Sequence, residues 1–153
     1  MISLRKKKVI IITDGDKKAA QAVRKAAFNI GGTLIEKSSG IPTPRDRVGI
    51  LAEIVKASQE PVLVLADDKG WQKAGRGESL IKELIMNPGL EVLGILAIAS
   101  DTVNGEVLHI SHSIDNTGKI VPKAVSKTGE VKADNCLVGD TLGVICGKKQ
   151  LLV

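Results

Sequence analysis

Three short stretches of this chain are apolar almost without interruption: residues 8–13 (KVIIIT), 61–66 (PVLVLA) and 91–99 (EVLGILAIA). A strand with one wet face alternates apolar and polar residues, whereas a strand that is apolar at consecutive positions needs cover on both faces. Val and Ile dominate the runs, and their β-branched side chains suit a pleated sheet. None approaches the roughly 18–20 apolar residues that a bilayer-crossing helix takes. Buried strands of this kind belong to parallel sheets, so the segments between them must supply the covering helices.

Those segments have the right periodicity. Residues 17–30 carry Ala19, Val23, Ala26, Ala27 and Ile30 at helical spacing, and Gly31-Gly32 stops the helix. Residues 33–36 form a second strand, and residues 38–44 (SSGIPTP) a loop by composition. Val48, Leu51, Ile54 and Val55 mark the core face of a second helix. Leu80, Ile81, Leu84 and Ile85 mark that of a third, which Pro88-Gly89 ends. Strand–helix alternation repeated three times into a fourth strand predicts right-handed crossovers. The expected fold is α/β: a doubly wound, mostly parallel sheet with helices on both faces, in one domain over residues 1–153.

The pattern changes after Ser100. Residues 107–114 alternate like a strand, and Asn104-Gly105 reads as a hairpin turn after strand four. Asn116-Thr117-Gly118 and Lys127-Thr128-Gly129 read as further turns, and residues 141–146 and 150–153 as short strands. The C-terminal third is therefore expected to be β-rich.

Composition narrows the function classes. Aromatic residues make up 1% of the chain, so the core is aliphatic. A net charge of +5 serves solubility first, and a weak attraction to an anionic surface second. Nucleic acid is not an expected partner, because the basic residues are dispersed beyond the Arg5–Lys8 run and the aromatics that stack on bases are nearly absent. No small-residue cleavage site follows the first apolar run, so no signal peptide is read there. Cys136 and Cys146 lack metal or redox spacing; two lone cysteines fit buried thiols in a reducing compartment, with a disulfide between them as the alternative. His109 and His112 should point to opposite faces of one strand, with His112 packed beside Leu108, Ile110 and Ile114.

Ligands of open α/β sheets bind beyond the carboxyl ends of the strands. Three of these ends carry acids: Asp14 and Asp16 after strand one, Asp67 and Asp68 after strand three, and Asp101 after strand four. Grouped carboxylates are hard oxygen ligands that suit a cation such as Mg²⁺. The same residues also suit a duller task, since Asp16 and Asp68 stand where helix N-caps belong. The loop after strand three holds Lys69, Gly70, Trp71, Gly75, Arg76, Gly77 and Glu78. It contains the only Trp of the chain and leads to a helix N-terminus that could hold an anion. It lacks the Gly-Lys-Ser/Thr ending of a phosphate loop. Trp and Arg are common at interface hot spots, which marks this loop as the expected partner-facing surface. No Ser-His-Asp or Cys-His set can be assembled for catalysis.

Residues 9–16 (VIIITDGD) with the Ala-rich helix, and residues 61–78 (PVLVLADDKGWQKAGRGE), resemble the stage V sporulation protein AE family, of the SpoVAEa type. Residues 90–102 (LEVLGILAIASDT) and 138–141 (VGDT) continue the resemblance in order. It implies a soluble accessory protein of the SpoVA group, whose membrane components move dipicolinic acid across the spore inner membrane. It implies partners among other SpoVA or germination proteins, a place peripheral to that membrane, and no catalytic residue. Similar proteins run on past a final strand into a glycine- and aspartate-rich segment and another helix, where this chain stops at Leu151-Leu152-Val153. The competing reading is a Toprim- or receiver-like domain using the acidic edge for phosphoryl chemistry or for sensing. Toprim domains have a Glu after their first strand, where this chain has Asp14-Gly15-Asp16. Receivers have a helix after strand four, where a hairpin is expected here.

Overall fold

The structure is a computed structural model that describes residues 4–68, 75–99, 106–139 and 151–152. Its main sheet has five strands, all parallel, in the order β2-β3-β1-β4-β9. β1 (Lys7–Ile12) lies at the centre, between β3 (Val62–Leu65) and β4 (Leu90–Leu96). The three apolar runs are thus neighbours, as their need for two-sided cover requires. β2 (Thr33–Leu34) forms one edge and β9 (Leu151–Leu152) the other.

The cover follows the period of two along each strand. Ile12, Leu63 and Leu65 meet Ala20, Val23 and Ala27 of α1 (Lys17–Ile30) on one face. Val9, Ile11, Val62 and Val64 meet Ile50 and Ile54 of α2 (Arg47–Lys56), and Leu80, Ile81 and Leu84 of α3 (Arg76–Met86), on the other. Consecutive apolar residues are needed because each face has its own layer. The Val9/Ile10 step faces a register shift on β4, where Val9 pairs with Val92 and Ile10 with Gly94. The extra residue, Leu93, is partly exposed.

Several sequence expectations change in detail. In α1, Gly31 caps the helix in the left-handed region at φ 70°, as its position suggests. Ala26 and Ile30, however, face solvent, and Ala20 takes their place in the core. In α2 the predicted face is rotated: Ile50 and Ile54 are buried, Leu51 is half-buried, and Val48 and Val55 are exposed. Val48, Leu51 and Val55 fit helical spacing as well as Ile50 and Ile54 do, and packing against β1 and β3 chose the larger Ile pair.

The C-terminal third is β-rich, but its pairing differs from the expected hairpin on strand four. β5 (Glu106–His109) pairs antiparallel with β8 (Cys136–Gly139), and β6 (Ser113–Ile114) with β7 (Ile120–Val121). The 107–114 alternation is broken at Ile110, where β5 has ended, so the side-chain phase is lost across residues 110–112. His112 is consequently exposed rather than packed. Cys136 is a free, half-buried thiol with Sγ 3.6 Å from His109 Nδ1, because it pairs across the ribbon with that residue; it is not the buried thiol expected. Asn104, Gly105, Cys146 and the expected strand at 141–146 lie outside the described residues. Gly118 and Gly129 adopt φ of 82° and 79°, which fits the two turns read there. Ile110, Ala124 and Val125 pack into the same core cluster as α2 and α3, so this third lies against the sheet's helical layer.

Candidate functional site at the carboxyl edge

All five strands of the main sheet end at one edge, and the buried polar residues of the described chain gather there, Ser113 of β6 excepted. Thr13, Ser38, Thr43, Asp67, Asp68 and Glu78 are each less than a tenth exposed. Each hydroxyl closes a strand end. Thr13 Oγ1 accepts from the Ile98 N–H at 3.0 Å, and Ser38 Oγ from the Leu65 N–H at 2.9 Å. Thr43 Oγ1 accepts from the Asp67 N–H at 2.8 Å, while the Thr43 N–H donates to the Asp67 carbonyl at 2.8 Å. A buried N–H without a partner is costly, so these contacts fix where the loops leave the sheet. Sequence reading missed all three hydroxyls. Their only signal was a polar residue at the end of an apolar run or inside the Pro-bearing 38–44 loop.

The acids are tied into the same lattice. Asp16 caps α1, with Oδ1 accepting from the Ala19 N–H at 2.7 Å. Asp67 Oδ2 accepts from the Gly15 N–H at 3.2 Å, joining the ends of β3 and β1. Asp68 accepts from the N–H groups of Gly77 at 2.7 Å and Glu78 at 3.2 Å. The anion position at the start of α3 is therefore filled by the chain's own carboxylate, where the sequence had suggested a place for a ligand. Asp14 Oδ1 accepts from the Asp16 N–H at 3.1 Å. Burial, the largest influence, holds the Asp14 carboxyl above its ordinary value, and the Asp16 charge pushes the same way. The N–H groups of Asp16 and Gly15 and the charge of Lys127 oppose this. Among the described residues, no three His, Cys, Asp or Glu side chains are grouped so as to hold a metal ion. Asp101 lies outside those residues.

The glycines of the 67–78 segment serve close approach. A Cβ on Gly77 would stand 2.8 Å from the backbone N and C of Asp67 and 2.9 Å from its O. A Cβ on Gly75 would run into the Asp68 carboxylate, and one on Gly15 into the Gly40 carbonyl oxygen. The first turn of α3, with Arg76 half-buried and Glu78 buried, is thus pressed against the end of β3. Residues 69–74, with Lys69, Gly70 and Trp71, lie outside the described residues. What is described is their base, whose two ends meet through Asp68.

A sequence profile described as SpoVAE, stage V sporulation protein AE1, matches residues 8–153. No curated protein matches, and no solved structure does. No described helix is long and apolar enough to cross a membrane.

Proposed function

The chain belongs to the stage V sporulation protein AE family, with the role in sporulation which that family implies, and from this premise we propose that it is an accessory protein of the SpoVA dipicolinic acid channel complex. In this reading it works by binding rather than by turnover, at the surface of the spore inner membrane, during sporulation and germination. The observation that carries the reading is the length of the family match, which spans both the sheet and the β-rich third.

The partner-facing surface in this proposal is the segment from Lys69 to Arg76; Gly77 and Glu78, which the sequence placed on it, are buried in the first turn of α3. Its support is the construction of its base. Asp68 joins the loop's start to its end at Gly77 and Glu78, and the close packing of Gly77 on Asp67 leaves that junction little freedom. The segment on this base carries Trp71, and Trp is a frequent anchor at interfaces. The test is capture of SpoVA membrane proteins from detergent-solubilised spore membranes by the tagged full chain. Trp71→Ala is expected to reduce capture while leaving stability within about 0.5 kcal/mol, the usual effect of a surface change. Undiminished capture by a folded Trp71→Ala variant would move the interface elsewhere, and absence of any SpoVA protein in the wild-type capture would end the reading.

A further inference from the structure

Opposite the acidic rim, the amino edge of the sheet gathers a different chemistry. The Lys7 N–H donates to the Gly89 carbonyl at 3.0 Å, and Lys7 Nζ to the Ala57 carbonyl at 2.7 Å. The Lys8 N–H donates to Glu60 Oε1 at 2.8 Å, and the Thr33 N–H to the Pro61 carbonyl at 3.0 Å. These bonds hold the stretches that follow α2 and α3 to the residues that open β1, and the stretch that follows α1 to the start of β3. At that edge Leu4 is 86% exposed, Phe28 85%, Met86 81%, Val55 67% and Ile30 55%. Phe28 is the only Phe in the chain and closes α1 with its ring in solvent.

The same edge carries cations. Lys6, Lys8, Lys25 and Lys56 are exposed, and among the described residues none of them is in an ion pair. Arg5 is paired with Glu60 and Arg24 with Glu36. The acids of this edge are Glu60, already held by Arg5 and the Lys8 N–H, and the exposed Glu91 beside Lys8 in the sheet.

We propose that the amino edge of the sheet is a docking surface for an anionic lipid bilayer. The proposal deepens the membrane-peripheral part of the function proposed above and rests on it. The apolar residues come from the three helices and from the segment ahead of β1, so they offer separate tips rather than one groove. A fluid surface receives tips of that kind: apolar side chains enter between headgroups, and the ammonium groups meet lipid phosphates.

The test is co-sedimentation of the full chain with vesicles of phosphatidylglycerol and phosphatidylcholine, and with phosphatidylcholine alone. Binding is expected only to the anionic vesicles, and it should weaken as salt is raised. Lys6→Glu with Lys25→Glu, and separately Phe28→Ser with Met86→Ser, should each weaken it at least tenfold with an unchanged melting temperature. Ile41→Ser with Val48→Ser, exposed apolar residues away from this edge, should leave it unchanged. Failure of the wild type to bind anionic vesicles, or loss of binding in the Ile41/Val48 variant alone, would overturn the proposal. Capture of SpoVA proteins from detergent separates the two ideas. Capture without vesicle binding sinks this inference and leaves the proposed function standing, whereas vesicle binding without capture does the reverse.

Discussion

Two residues at the acidic rim show how local environment sets the sign of an effect. Asp14 holds its proton to a higher pH in the folded chain than its ordinary value of 3.8, chiefly because it is partly buried. Ionising it therefore costs stability; the cost begins as pH rises past the unfolded value and is complete above the raised folded one. Asp14→Asn keeps an acceptor for the Asp16 N–H and removes the charge. It should melt above the wild type at about pH 7, with the difference closing towards about pH 3. A lower melting temperature at neutral pH would mean that the Asp16 and Gly15 N–H groups and Lys127 together outweigh the cost of burying the Asp14 charge. At Gly77 two effects compete. Alanine favours a helix over glycine by about 1 kcal/mol, but a Cβ there meets backbone atoms of Asp67 that no rotamer change can move. Gly77→Ala should thus be destabilising, by about 1–3 kcal/mol, while Gly89→Ala, which meets only the Asn87 side chain at 3.3 Å, should be close to neutral. Chemical denaturation of the pair decides it.

Among the elements, α2 separates pattern from packing. If Ile50 and Ile54 form its core face, Ile54→Ala should cost about 2–5 kcal/mol. Val55→Ser should then stay within about 0.5 kcal/mol, as surface changes do. Comparable losses in urea melts would restore the face that spacing alone suggests. The strands were legible because a two-sided core leaves a signature that no polar residue interrupts. α3 was legible because Leu80, Ile81 and Leu84 form its one strong stripe. α2 was ambiguous because Val48, Leu51 and Val55 give a second apolar stripe of similar strength, and a helical wheel holds no information about which side the sheet is on. The break at Ile110 was hidden because Leu108, Ile110 and Ile114 keep an even spacing that placed His112 on their face, although Ser111, His112 and Ser113 are polar. At the rim, Asp16 as a cap could be read from its place before α1. The joining of Asp67 to Gly15 depends on strand order and could not; Asp68, expected as a helix cap, does accept from the Gly77 and Glu78 N–H groups in the first turn of α3, although Gly75 holds the cap position itself.

For the molecule as a whole, the placement of Ile110, Ala124 and Val125 in the α2–α3 side of the core has a thermodynamic consequence. Elements that share one apolar cluster lose their cover together. Unfolding is expected in one step, with amide protection at Ile11 and Ile110 lost at the same denaturant concentration. Earlier loss at Ile110 would show that the C-terminal third opens by itself.

The central position of β1 also matters before the chain is complete. The strand made first has both neighbours made later: Val9 waits for Val62, and Lys7 for Leu90. During synthesis at roughly 5–20 residues per second, the Val-Ile-Ile-Ile run stays without a pairing partner for a time on the order of seconds. An unpaired β-branched run is an aggregation hazard while it waits. The four consecutive cations just ahead of it, Arg5 to Lys8, are the flanking charges that keep two such nascent segments apart. The basic run therefore protects the newborn chain before the finished sheet gives it anything else to do.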